Sequence, residues 1–300
     1  MKRLRILFYR FIYAPPINFI IRNLFLLINK IFNQNLRISV SGKVSLEIQG
    51  NSFKLLTNES CHVVNYLFFC KPINYEFTPL FLKLINKSTV FFDLGANIGY
   101  FSVIASKINP LLKIYSFDPG NGAFYFLSKN VELNKCNNIH ISKVAVSNYV
   151  GEIEFIELTN DKYPYLKYFM SGASSTVDRN YNLPKQKYKV EVTTLDEFKS
   201  KHGIGSIDLL KIDTEFNEHF VLMGASSILK NDRPIIICEV YNEIIDEIKH
   251  QLSIYKYIVY QYTPLGVFKI NGFDEVLKSN QRNFIFVPEE KESNFIKEYL

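Results

Sequence analysis

The sequence predicts an α/β fold: a mainly parallel sheet with helices on both faces. Two observations carry this. From Thr89 onward, short β-rich apolar runs alternate with helical segments, the pattern of a sheet built from strand–helix–strand units. Runs such as "PIIICEV" are apolar without polar alternation, as strands buried on both sides must be. A third observation locates the working end. The runs finish in acids, Asp93, Asp118, Asp213 and Glu239, and ligands of such sheets bind beyond the carboxyl ends of the strands, so these acids should surround one crevice.

Before that sheet lies an extension, residues 1–85. Residues 1–34 read as helices broken at Pro15-Pro16, which no helix interior accommodates. Residues 36–60 fall into short alternating runs punctuated by Gly42 and Gly50, the signature of a small antiparallel meander. Residues 61–86 are helical in two pieces, interrupted at Pro72. In the domain proper, 86–300, "TVFFDLG", "LKIYSFD", "IHISKVAV", "SIDLLKID" and "RPIIICEV" are the strands, with helices after the first two and over 217–230 and 242–252. Residues 151–194 read as an insertion with two strands around a polar loop, and "YKYIVYQY" and "NFIFVP" close the chain.

The composition, 47% hydrophobic and 21% charged over 300 residues, is that of a folded chain and excludes wholesale disorder. A net charge of +6 without a basic, aromatic-interleaved stripe near the crevice argues against a nucleic-acid partner. Four cysteines form no CxxC pair and no metal spacing, so a reducing, cytoplasmic setting is expected. "INFIIRNLFLLINKIF" is interrupted by Arg22, Asn23, Asn29 and Lys30 and falls short of the ~18 clean residues a membrane span wants. It also lacks a small-residue cleavage site, so no secretory signal is expected. Lys2, Arg3, Arg5 and Arg10 leave two readings of residues 1–34 open: helices packed on the domain, or an amphipathic segment lying on an anionic membrane at its inner face.

"FFDLGANIGYFS" is the most informative stretch. Asp93 ends a strand, Gly95 permits a tight turn, and Gly99 lets the next helix pack closely. The loop offers amide N–H groups and a helix N-terminus to a carboxylate. Its acid would repel a pyrophosphate and suits an ammonium, and the G-x-G-x-x-G of nicotinamide sites is missing. Asp118, about 25 residues on, either hydrogen-bonds a ribose diol or caps the helix starting near Asn121. Together these features ask for an adenosine-type ligand, with S-adenosylmethionine fitting the acidic loop better than NAD.

"VFFDLGANIGYFS", "SFDP", "KVAVSNYVGEIEF", "VTTLDEF", "SIDLLKIDTEFNEHFVLMGA" and "RPIIICEV" together resemble the FkbM-type methyltransferases over roughly residues 74–290. The resemblance implies a class I (Rossmann-like) methyltransferase fold, S-adenosylmethionine as donor, and O-methylation, many members serving polysaccharide, glycolipid or polyketide assembly. By position, Asp93, Gly95, Asn97 and Gly99 would hold the methionine end of the donor, Asp118 the ribose, and Ala145 would lie near the adenine. Two residues depart from the family pattern: Asp118 stands where glutamate is usual, and Phe216 where glycine is usual.

In this architecture the end of the fourth strand faces the transferring methyl. Asp213 and Glu215, two apart, would project to one side of an extended backbone. Methyl transfer to an alcohol needs a group to take a poorly acidic proton. Asp213 is therefore expected as base or hydroxyl-orienting group, with Glu215 and Glu239 in support and Lys211 neutralising the cluster. Alternatively Asp213 is structural, Glu218 stabilises a helix start and Glu215 is solvated. The three carboxylates would suit Mg²⁺, but nothing else asks for a metal and none is expected. His62 reads as a packed core residue, His219 as a base only if its turn is helical, and "SGASSTVDRN" as an acceptor lid or a surface loop. The expected activity is O-methylation of a sugar hydroxyl in a surface polysaccharide or glycolipid. The alternative is a cofactor-binding scaffold that has lost catalysis, with Phe216 as its sequence support.

Overall fold

The computed structural model describes residues 2–170, 172–178, 182–270, 273 and 281–300. Two helices open the chain, α1 (Lys2–Ile12) and α2 (Pro15–Phe32), meeting at 73°. Pro15 starts α2, where its missing N–H would be unpaired in any case. A hairpin follows, β1 (Gly42–Ile48) and β2 (Asn51–Thr57). Gln49 and Gly50 both have positive φ, as a type I′ turn requires. The expected meander is thus a two-stranded hairpin. Its would-be first run is claimed by side chains instead: Val40 N–H donates to Asn65 Oδ1 at 2.5 Å and Ser41 N–H to Asn18 Oδ1 at 2.8 Å. Helices α3 (His62–Cys70) and α4 (Thr78–Ile85) flank the interruption at Pro72.

The alternation predicted from Thr89 is present: β3 (Val90–Leu94), α5 (Tyr100–Ile108), β4 (Lys113–Phe117), α6 (Asn121–Leu133) and β5 (Ile139–Ser142). "IHISKVAV" is not one strand. After β5 the chain leaves the main sheet, and β6 (Ala145–Val146) pairs with β8 (Lys185–Thr193), itself antiparallel to β7 (Gly151–Leu158). Then come α7 (Leu195–Lys201), β9 (Leu209–Ile212), α8 (Glu218–Met223), α9 (Ser226–Asn231), β10 (Ile235–Glu239), α10 (Ile245–Ile254), β11 (Tyr257–Thr263), β12 (Gly266–Lys269), β13 (Asn283–Pro288) and α11 (Glu292–Tyr299). The single helix expected over 217–230 breaks at Gly224, where a Cβ would sit 2.1 Å from Ser147 O.

The main sheet has the order β12-β11-β13-β10-β9-β3-β4-β5. β3, β4, β5, β9 and β10 are parallel, and β13 lies antiparallel between β10 and β11. Successive residues face opposite ways, so Phe91 and Leu209 enter one core with α4 and α5 while Phe92 and Leu210 enter the other with α7 to α10. The first core also holds Phe53 and Leu55 of the hairpin and Phe81 of α4, so it runs unbroken across residue 85. Asn130 and Asn134 of α6 complete the join. Their side-chain oxygens accept from Leu56 N–H (2.6 Å) and Lys54 N–H (2.8 Å), and their amides donate to the same residues' carbonyls.

Candidate active site

The loop after β3 is shaped by packing before any ligand is considered. Gly95 has φ +71, and a Cβ there would lie 1.8 Å from Asp213 O. Only glycine therefore lets this loop cross the exit of β9. Gly99 has φ +82 and would collide with Leu127 of α6 at 2.6 Å. Gly95 and Ala96 donate to Phe117 O at 3.0 and 2.9 Å, tying the loop to the end of β4. One residue further, Asp118 receives Asn97 N–H on Oδ2 (2.8 Å) and Gly120 N–H on Oδ1 (2.9 Å). It braces the loop and does not cap α6, whose N-cap is Gly120. Burial pushes the Asp118 carboxyl up to about 7 against the pull of those two amides.

Beyond the strand ends opens a cavity of ≈ 440 Å³, within the range of small-molecule sites. Of the residues singled out above, Gly95, Asn97, Asp118, Ala145, Asp213, Glu215 and Glu239 line it. Asp93, Gly99 and Lys211 do not. Asp93, expected to hold the methionine end of the donor, is fully buried; Oδ2 accepts from Ser102 Oγ at 2.5 Å and Oδ1 lies 3.3 Å from Lys211 Nζ. Its carboxylate supports the loop from below. Asn97 Oδ1 is buried and has no hydrogen-bond partner among the described residues, a spare acceptor in the cavity wall. That suits the ammonium or amine of an adenosyl amino-acid ligand.

Lys211 is the hub of the acidic end. Its Nζ lies 3.3 Å from Asp93, 3.4 Å from Asp213 and 3.3 Å from Gly95 O. Burial opposes its charge, but Asp213, Asp93 and Glu76 outweigh that and hold its pKa above the usual lysine value. Asp213, Glu215 and Glu239 each bring a carboxylate oxygen within 4.8 Å of the others, a set that could also hold a metal ion. Burial, then the charges of Asp213 and Glu215, push Glu239 up to about 9, so at neutral pH it keeps a proton to donate. Tyr241 Oη lies 3.0 Å from Glu215 Oε2 and 2.8 Å from Glu239 Oε2.

The three acids do not meet by strand periodicity, as expected for Asp213 and Glu215. β9 ends at Ile212, and Glu215 (φ 55) and Phe216 (φ 77) turn the chain through the left-handed region. Phenylalanine thus occupies a backbone position where glycine is at home, at a cost of about 1–3 kcal/mol. Its ring stacks on Tyr241 at 3.8 Å and 26°, which returns about 0.5–1.5 kcal/mol. Glu218 follows the structural alternative: it is fully buried at the start of α8 and accepts from Thr214 N (2.7 Å) and Oγ1 (3.1 Å). His219 is absent from the cavity wall, whereas His62 is exposed there instead of packed in the core.

Several wall residues carried no chemical signal in the sequence. Glu76, in the turn before α4, faces Asp213; crowding by protein, then that charge, pushes its carboxyl up to about 7 although it still meets solvent. Glu157 of β7 accepts Gly122 N–H at 2.8 Å. Tyr75 and Met170 of the wall, and Tyr241 against Glu215 and Glu239, are neighbours that no spacing rule would gather. Part of the "SGASSTVDRN" loop lies over the acids. Gly172, Ser174 and Thr176 line the cavity and Ser175 Oγ donates to Glu215 O; Ser171, Arg179 and Asn180 fall outside the described residues.

Between β3 and β9 the strand order reverses, and the cavity opens over this switch point, where ligands of such sheets bind. With β13 antiparallel near one edge, the sheet is that of the class I, S-adenosylmethionine-dependent methyltransferases. Residues 93–283 match the methyltransferase FkbM domain, and the chain belongs to that family. The family is one of methyltransferases, with S-adenosylmethionine as donor.

The chain is 27% identical over 152 residues to methyltransferase sdnD of Sordaria araneosa, covering 44% of this chain and 58% of that protein. A shorter match, 33% over 54 residues, is to the tRNA(Phe) (4-demethylwyosine(37)-C(7)) aminocarboxypropyltransferase of Methanocaldococcus jannaschii, covering 18% and 22%. The chain thus spans less than two thirds of either relative. Among solved structures, methyltransferase FkbM of Methylobacillus flagellatus KT superposes with a TM-score of 0.42 at 15% identity, over 75% of this chain and 52% of that one.

Proposed function

We propose that the chain methylates a hydroxyl group of a carbohydrate or glycolipid acceptor, working in the cytoplasm. The observation that carries this reading is the gathering of Asp213, Glu215 and Glu239 within 4.8 Å at the cavity end of β9 and β10. A polyhydroxylic acceptor offers several O–H donors, and adjacent carboxylates accept them in fixed directions. When bound, the donor supplies an electrophilic methyl on a sulfonium sulfur. The wall of Gly95, Asn97, Asp118 and Ala145 would hold it. Asp213, tethered by Lys211, orients the acceptor hydroxyl and takes its proton, while Glu239, protonated at neutral pH, donates to a neighbouring oxygen. The free thiols of Cys61, Cys70, Cys136 and Cys238 support a reducing compartment.

Phe216, with its left-handed backbone, favours a second reading: a donor-binding scaffold without turnover. The two are separated by incubating the chain with methyl-labelled S-adenosylmethionine and a panel of glycosides and glycolipids. Label should appear as alkali-stable ether. Asp213→Asn should lower turnover at least about 100-fold while S-adenosylhomocysteine affinity stays within about threefold. Donor binding without transfer to any acceptor selects the scaffold. Near-normal turnover by the variant removes Asp213 from the mechanism.

A further inference from the structure

The first two helices keep one face on the protein and turn an apolar face to solvent. α1 and the turn after it pack through Tyr9 and Tyr13, whose rings lie 5.8 and 5.6 Å from that of Tyr163. α2 is hooked to the hairpin by buried polar groups: Asn18 Nδ2 donates to Ser39 O at 2.9 Å, and Arg22 donates to Ser41 O (2.8 Å) and Lys43 O (2.7 Å). With those faces fixed, Leu4, Leu7, Phe8 and Phe11 form an outward stripe on α1 at helical spacing, each more than half exposed. Ile20, Leu24, Leu27 and Ile31 do the same on α2, exposed by 49–62%.

Charge follows the same segment. Residues 1–46 carry eight of the chain's 35 lysines and arginines and none of its 29 acids, so the remainder of the chain, with 27 bases and 29 acids, has a net charge of −2. Arg22 is buried, but Arg3, Arg5, Arg10, Lys30 and Arg37 are exposed. No single helix among the described residues is long and apolar enough to cross a membrane, and the two that come nearest are bent by 73°.

We propose that α1 and α2 dock the protein in the plane of an anionic lipid surface, their apolar stripes entering the acyl boundary and their bases meeting lipid phosphates. An apolar stripe without acids, flanked by exposed arginines, matches that surface in both hydrophobicity and sign. One segment links the docking helices to the site. Tyr163, against which α1 packs, begins a short segment that ends in Phe169 and Met170 of the cavity wall. The docking itself does not depend on the identity of the acceptor.

Flotation of the full chain with vesicles tests this, using phosphatidylcholine alone against phosphatidylcholine with a quarter phosphatidylglycerol. Binding should require the anionic lipid and weaken as salt is raised. Leu7→Glu with Phe11→Glu, and separately Ile20→Glu with Leu24→Glu, should each lower vesicle affinity at least about tenfold. Arg3→Glu with Arg5→Glu should remove the preference for anionic lipid. Circular dichroism and S-adenosylhomocysteine binding should be unchanged in all three, showing that the fold and site are intact. The proposal is overturned by absence of binding to the anionic vesicles or by binding that none of these changes weakens. A solution dimer that the same substitutions dissociate would also overturn it, since the stripes would then be an interface between copies.

Discussion

Replacing Lys211 by methionine should destabilise the protein severely even though methionine fills nearly the same space. The ammonium lies 3.3 Å from Asp93 and 3.4 Å from Asp213. At an effective dielectric of about 20, each contact is worth about 5 kcal/mol in Coulomb energy. Removing the lysine also relieves its own burial, a gain of several kcal/mol. Asp93 decides the balance, because it is fully buried. A net loss of about 3–5 kcal/mol is expected, as for other buried pairs broken from one side. Urea unfolding followed by circular dichroism reads it directly. Adding Asp93→Asn to Lys211→Met should restore part of the loss, because the orphaned charge is gone. A single-variant loss below about 1 kcal/mol, or a double variant no better than the sum of the singles, would refute the account.

Three further outcomes are expected. Gly95→Ala should cost more than about 2 kcal/mol and abolish S-adenosylhomocysteine binding by calorimetry, because a methyl at a left-handed position would run into Asp213 O; normal binding would show that the loop can shift. Asp118 and Glu218, pushed up to about 7 and about 8 chiefly by burial, hold protons when folded that they release when unfolded. Their stabilising contribution is therefore complete below about pH 4 and lost as pH rises through 7 and 8, so the thermal midpoint of the ligand-free protein should fall across that window, less steeply in Glu218→Gln; a flat profile would contradict the assignment. Phe216→Gly should change stability by less than about 1 kcal/mol, since relief of backbone strain offsets the lost stack on Tyr241. A loss above about 3 kcal/mol would mean the strain is not there.

What could be read in advance was what local chemistry dictates. The alternation from Thr89 and the glycine loop were legible because period and turn residues are local properties, and the strand-end acids followed from them. Glu76 and Tyr241 were not, because Glu76 reaches the cavity from a turn before α4 and Tyr241 reaches Glu215 and Glu239 from the loop after β10, and no spacing encodes that. The break of 217–230 at Gly224 depends on Ser147 O, 77 positions earlier. A legible signal also went unread: Thr194 accepts Glu197 N–H at 3.1 Å, and the T-x-x-E spelling of that cap announces α7. Asp93 was correctly placed at a strand end, but whether its carboxylate faced ligand or lysine rested on Lys211 of a strand more than a hundred residues away.

The paired asparagines of α6 have a consequence for how the chain can be divided. A hairpin with an open edge is an invitation to pair with another chain. Here Asn130 and Asn134, four apart on one helix face, act as a substitute strand for Lys54 and Leu56 and close that edge. A protein begun at residue 86 would therefore lose more than an appendage. Two buried asparagines in the helix that receives the donor-side loop would lose their hairpin partners, and the core around Phe53 and Phe81 would be laid open. The first 85 residues are a keystone, and the methyltransferase domain should not survive as a soluble fragment without them.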